Sequence, residues 1–114
     1  MNNKTQNHWL NWTHYEVPEH TQLALENYII RGYHPGSFLQ AVLENNFVNT
    51  VCRADHLNQL YLVDIAKWLV HESPSECWGS DQVVNNWIDD VDRVRSKYVE
   101  PREKQRVWQL LQQT

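Results

Sequence analysis

The sequence predicts an all-α fold: one compact domain of about five helices packed around a buried central helix at 51–72. Three observations lead there. Apolar residues recur at spacings of three and four along most of the chain, and few segments alternate with period two. The three glycines sit in two short corners, "RGYHPGSFL" at 31–39 and "CWGSD" at 77–81, where helix ends tolerate them and helix interiors do not. With 114 residues, 41% of them hydrophobic and 21% charged, the chain is one domain, 1–114, able to build one core without staples.

Each element follows from local signals. Residues 1–16 form a polar arm that carries Trp9, Leu10, Trp12 and Tyr15, and an arm so rich in aromatics is expected to dock on something. Pro18 suits a first helical position, and Leu25, Tyr28 and Ile29 then mark one helical face. Gly32 supplies the left-handed residue that ends this helix, with Tyr33 folding back on its last turn. A second helix, 37–46, starts at Ser37, which stands at capping-box spacing from Gln40, and Phe38, Ala41 and Val42 begin its apolar face. In the central helix, Val51, Ala54, Asn58, Tyr61, Ile65 and Trp68 form one stripe, which Leu57, Leu60, Val63 and Leu69 widen. Pro74 stops it. At the second corner Gly79 turns, Ser80 caps and Asp81 complements the positive helix start. Val84, Trp87, Ile88, Val91, Val94 and Tyr98 make the amphipathic face of a helix at 80–99. Pro101 breaks or restarts the chain into a short last helix at 101–113, with Val107, Trp108 and Leu111 apolar.

Charge is uneven. The net charge is −4, yet residues 1–92 carry twelve acids against four bases, and residues 93–114 carry six bases against two acids. An acidic chain argues against a dedicated nucleic-acid binder. No apolar run approaches the ~20 residues that cross a bilayer, and "MNNKTQNHWLNW" holds no apolar signal core, so a cytoplasmic location and no membrane partner are expected. Cys52 and Cys77 are then expected to be reduced and structural.

Candidate chemistry is sparse. His8, His14, His20, His34, His56 and His71 form no pair at i,i+3 or i,i+4, and no Cys-x-x-Cys occurs, so no metal site is expected. Asp89 and Asp92 of "DDVD" share a helical face with no other acid near in sequence and read as solvated. No nucleophile elbow or other catalytic signature is present, so no catalytic residue and no cofactor is assigned and the balance leans away from an enzyme. The two corners are the better candidates, because a helix start exposes unpaired N–H groups that hold anions. The candidate ligand-binding set is Arg31, Tyr33, His34, Gly36, Ser37, Arg53, Asp55, Asn58, Trp78, Gly79 and Ser80, which offers charge and stacking if the corners meet. The competing reading is that Ser37 and Ser80 only cap their helices and Trp78 packs as a lid. Asn58, on the apolar stripe, either pins a loop backbone or lines a pocket.

The run 28–80 resembles a family of small proteins found in tailed phages and prophages. The pattern is G-x-x-P-G-x-F-L-x-A-V-L-x-N-[ND], then R-A-D-x-x-N, then W-G-S. It falls on Gly32, Pro35, Gly36, Phe38, Leu39, Ala41, Val42, Leu43, Asn45 and Asn46, then on Arg53, Ala54, Asp55 and Asn58, and lastly on Trp78, Gly79 and Ser80. The likeness covers about half the chain and omits the aromatic arm and the tail beyond Trp87. It implies a phage setting, with the host cytoplasm as location, and no particular activity. The functional expectation is therefore a small accessory protein that acts by binding, inhibiting or sequestering a host or defence component. The alternative is a sponge for a small nucleotide signal; an enzyme of unknown class is weaker. A homo-oligomer is also expected, because Trp9, Trp12, Trp87 and Trp108 offer more apolar surface than so small a domain easily buries.

Overall fold

The computed structural model describes residues 9–113, so residues 1–8 of the arm, His8 among them, lie outside the described residues. Among the described residues seven α-helices follow one another: α1 (Glu19–Arg31), α2 (Ser37–Leu43), α3 (Phe47–Arg53), α4 (His56–Leu60), α5 (Leu62–Glu72), α6 (Asp81–Ile88) and α7 (Val94–Gln112). Single 3-10 turns occur at Ser75–Cys77 and Val91–Arg93. Among the described residues there is no strand, and no helix is long and apolar enough to cross a membrane.

The expected central helix 51–72 is corrected: it is three helices. Val51–Arg53 belongs to α3, which starts at Phe47 because the Asn46 side chain accepts the Asn49 N–H. Ala54 is extended, at φ −66 and ψ 131. Asp55 then caps a fresh helix by accepting the Asn58 N–H at 2.7 Å. A second break at Tyr61, φ −119 and ψ 20, separates α4 from α5. Three further boundaries differ from expectation: the helix expected at 37–46 ends at Leu43, before Asn45 at φ 65. The helix expected at 80–99 stops at Ile88, and Asp90, Asp92 and Arg93 take positive φ (54, 51 and 59) before α7 begins. Asp89 and Asp92 consequently share no helical face. Asp90 stabilises the new start by accepting the Ser96 N–H at 2.9 Å and the Ser96 hydroxyl; that hydroxyl, above all, holds the Asp90 carboxyl below its ordinary range. Helix α7 then runs straight through Pro101, where a separate helix at 101–113 is expected. Pro101 removes one N–H from the ladder, but it and Lys97, whose carbonyl loses that donor, are exposed to water.

The core is built on α1, α5 and α6. Trp68 and Trp87 are fully buried with Tyr28, Ile29, Leu43 and Cys77. Polar groups inside find partners. Tyr28 Oη donates to Cys77 O at 2.7 Å, and Trp87 Nε1 is shared between the carbonyls of Tyr28 and Ile29 at 3.2 Å each. Burial pushes the Cys77 thiol up to about 12. Gly32 ends α1 at φ 75, as its sequence context predicts.

The arm docks on this same body. Trp12 stacks flat on Trp68, centroids 3.9 Å apart and planes 8° apart, and Trp68 Nε1 donates to Asn11 O at 2.7 Å. Acidic side chains on the body take the arm's outer donors: Trp12 Nε1 reaches Glu26, Trp9 Nε1 reaches Glu103 and Tyr15 Oη reaches Glu72, all at 2.9–3.0 Å. Trp9, Trp12 and Trp87 are therefore used within one copy. Only Trp108 of the four stays largely exposed, at 59%.

Candidate functional site

Helix α2 separates the two corners. At its N-terminal end Gly36 (φ 93, ψ 163) is the residue before the helix, and Ser37 is its first residue, with no side-chain cap bond. The Ser37–Gln40 capping box is not made, since the Gln40 amide turns instead to Glu44 at 2.9 Å. At the opposite end the Gly79 N–H donates to Leu43 O at 2.8 Å, which anchors the second corner there. Seven residues of helix, roughly 10 Å, lie between them. The corners do not meet within one copy.

Each candidate residue has a definite place. Near the first corner, Arg31 Nη1 bonds Asn27 along α1 at 2.9 Å, Tyr33 is exposed, and His34 Nδ1 accepts the Gly36 N–H at 3.1 Å. Arg53 Nη1 donates to Ser37 O at 3.4 Å, so its guanidinium faces a carbonyl at this corner. Asp55 also lies 3.4 Å from His20 Nε2, and the Asn58 N–H is the main cause of its lowered pKa. Asn58 is buried and accepts the Thr21 hydroxyl at 2.6 Å, so it ties α4 to α1 rather than pinning a loop backbone. Gly36, Ser37, Asp55 and Asn58 do line a common recess of about 260 Å³ with His20 and Thr21. At the second corner Ser80 caps α6 through the Val83 N–H at 3.2 Å, and Trp78 lines a different cavity beside Asn45, Asn46 and Phe47. Arg53 and Trp78 therefore stand at opposite ends of α2. The ionised Asp55 beside the first recess opposes an anion there.

A recess of about 620 Å³ between α6 and α7 holds none of these residues. Glu76, Asp92, Lys97 and Arg102 are among its lining residues. Arg102 is also engaged, bonding Tyr98 O at 2.8 Å with its guanidinium 3.5 Å from the Tyr98 ring centroid.

A different surface stands out. Helix α3 packs chiefly on α2, in a body only 20 Å thick along its shortest axis, which is about two helix layers. Phe47 is 78% exposed, Leu60 and Val63 64% each and Val70 60%, with Val51 and Leu57 also exposed. Two adjoining cavities of about 250 and 230 Å³ share Val42, Phe47, Thr50 and Ala66 and merge into one apolar groove between α3 and α5. The sequence signal for this groove was present in the many-sided apolar pattern of 51–72. Read as one straight helix, that pattern buries Leu57, Leu60 and Val63. Broken at Ala54 and Tyr61, it buries Ala54, Asn58, Ile65, Trp68 and Leu69 and leaves Leu57, Leu60 and Val63 outside.

No family model matches this chain, and neither a curated protein nor a solved structure matches it significantly.

Proposed function

We propose that this protein acts by binding another protein through the α3–α5 groove, as an accessory factor of phage type that inhibits or sequesters a host or defence component in the host cytoplasm. The observation that carries this reading is the exposure of Phe47, Val63 and Val70 around a groove with largely apolar walls. Contiguous apolar surface of this kind is costly to leave in water, and aromatic residues are favoured anchors at interfaces. The nucleotide-sponge reading needs Arg53 and Trp78 on one ligand, and their positions at opposite ends of α2 do not support it.

The test is affinity capture of the tagged chain from host cells, followed by reconstitution with the purified partner. Phe47→Glu and Val63→Glu are expected to weaken that complex at least tenfold, while Arg53→Ala leaves it unchanged. A complex that survives both groove variants and is lost with Arg53→Ala overturns the reading. Calorimetric titration of mono-, di- and cyclic nucleotides is expected to show no heat of binding.

A further inference from the structure

The recess between α6 and α7 shares no lining residue with the α3–α5 groove and is built differently. Its volume of about 620 Å³ lies within the roughly 300–1,000 Å³ of pockets that take small ligands. Val83, Val94 and Tyr98 supply apolar lining, and Glu76, Asp92, Lys97 and Arg102 supply two charges of each sign. Among the described residues none of these four charges is in an ion pair. The acids nearest the two cations in sequence are already taken. Glu100, three residues beyond Lys97, accepts Arg93 at 2.7 Å, and Glu103, next to Arg102, accepts Trp9 Nε1 and Arg106.

Arg102 is held in place without being neutralised. Its Nη1 donates to Tyr98 O at 2.8 Å, and its guanidinium carbon lies 3.5 Å from the Tyr98 ring centroid and 5.9 Å from that of Trp9. A carbonyl and two ring faces fix the group and leave its full charge for a further anion. A cation ordered before a ligand arrives gives up little more freedom on binding. The acidic side of the lining is also constrained. Asp92 takes φ 51, and Asp90 and Arg93 beside it take φ 54 and 59. Three non-glycine residues in the left-handed region within four positions persist only where the surroundings impose them, and such strain collects at ligand sites.

We infer that this recess binds a short zwitterionic peptide of two or three residues with apolar side chains, its carboxylate taken by Arg102 and Lys97 and its ammonium by Glu76 and Asp92. The charge inventory selects the class. An anion alone would bring its charge to two carboxylates, and a cation alone to two bases. A ligand that carries one of each satisfies all four groups. A planar guanidinium suits a carboxylate, which it can grip through two parallel N–H bonds. The apolar lining at Val83, Val94 and Tyr98 rewards side chains on the ligand, and a single amino acid would fill only part of the space. The site is independent of the groove and stands whether or not the groove holds a partner.

The test is calorimetric titration of the purified full chain with leucyl-leucine, with backbone amide NMR shifts locating the site. Wild type is expected to bind one dipeptide per chain, with the largest shifts over 91–98. N-acetyl-leucyl-leucine lacks the ammonium and leucyl-leucine amide lacks the carboxylate; each is expected to bind at least tenfold more weakly. Lys97→Gln is expected to weaken leucyl-leucine at least tenfold and to leave the weaker binding of the amide unchanged. Asp92→Asn keeps a residue that tolerates the left-handed region and is expected to weaken leucyl-leucine while leaving the acetylated form unchanged. Both positions are exposed, so both variants are expected to fold, as thermal melting by circular dichroism checks. Absence of saturable binding up to about 10 mM overturns the assignment. So does equal affinity for the blocked dipeptides, or undiminished binding in both variants. Shifts confined to the α3–α5 groove would overturn it as well, because the dipeptide would then be held by its apolar side chains elsewhere.

Discussion

Gly32→Ala probes the junction where α1, α6 and α7 meet. Gly32 takes φ 75, and a non-glycine residue in that left-handed region costs about 1–2 kcal/mol. The added Cβ would also fall 2.6 Å from Cζ, Nε and Nη2 of Arg95. That guanidinium is not free to swing away without loss, since Nε donates to Trp87 O at 3.0 Å and Nη2 to Ile88 O at 3.3 Å, closing the end of α6. A hydrogen bond from a charged donor contributes about 1.5–3 kcal/mol, so losing one brings the total to about 2.5–5 kcal/mol. That is a large share of the roughly 5–15 kcal/mol available to a domain of this size. In an Arg95→Ala background the collision is gone and only the backbone strain remains, about 1–2 kcal/mol. Urea denaturation of wild type, both single variants and the double variant, followed by circular dichroism, reads the coupling directly. A Gly32→Ala loss that is the same with and without Arg95 would refute the reasoning. Gly36 is the control: it also has positive φ, but nothing lies within 4 Å of its added Cβ, so its strain is expected to be independent of Arg95.

Three further outcomes follow from single contacts. Thr21→Val leaves the buried Asn58 carbonyl without its donor and is expected to lower unfolding free energy by about 1–3 kcal/mol, with part of the loss recovered in a Thr21→Val/Asn58→Leu double variant. In the native protein an alkylating reagent is expected to modify exposed Cys52 and spare buried Cys77, whose thiol is pushed up to about 12; mass spectrometry reads one adduct per chain, and two adducts without unfolding would contradict the core packing. The Asp90 carboxyl is held below its ordinary range, chiefly by the Ser96 hydroxyl, so its proton favours the unfolded chain. Its contribution is complete above the unfolded value near pH ~4 and is lost as pH falls through the lower folded value. The acid limb of melting temperature against pH is expected to be shallower in Asp90→Asn, and an identical limb would count against the cap.

The helical class and several stops are legible from neighbouring residues alone, because caps and turns are local chemistry. Gly32 ends α1 in the left-handed region, and Ser80 accepts the Val83 N–H at the start of α6. The division of 51–72 is local in its chemistry too, since Asp55 caps α4 through Asn58. But an aspartate mid-pattern is equally compatible with an exposed helical position, and periodicity does not choose between the two. The choice depends on Thr21, 37 residues away, whose hydroxyl donates to the Asn58 side-chain carbonyl. Pro101 shows the opposite failure. A local helix breaker lies inside α7 because that face is open to water, and exposure is a property of the assembled body. The candidate surface follows the same division. The apolar excess of Leu57, Leu60 and Val63 is visible in composition and spacing, whereas its outward direction is set by the turns at Ala54 and Tyr61. Those turns rotate each short helix about its axis, and the side a residue faces is fixed by that rotation together with what the remaining chain leaves uncovered.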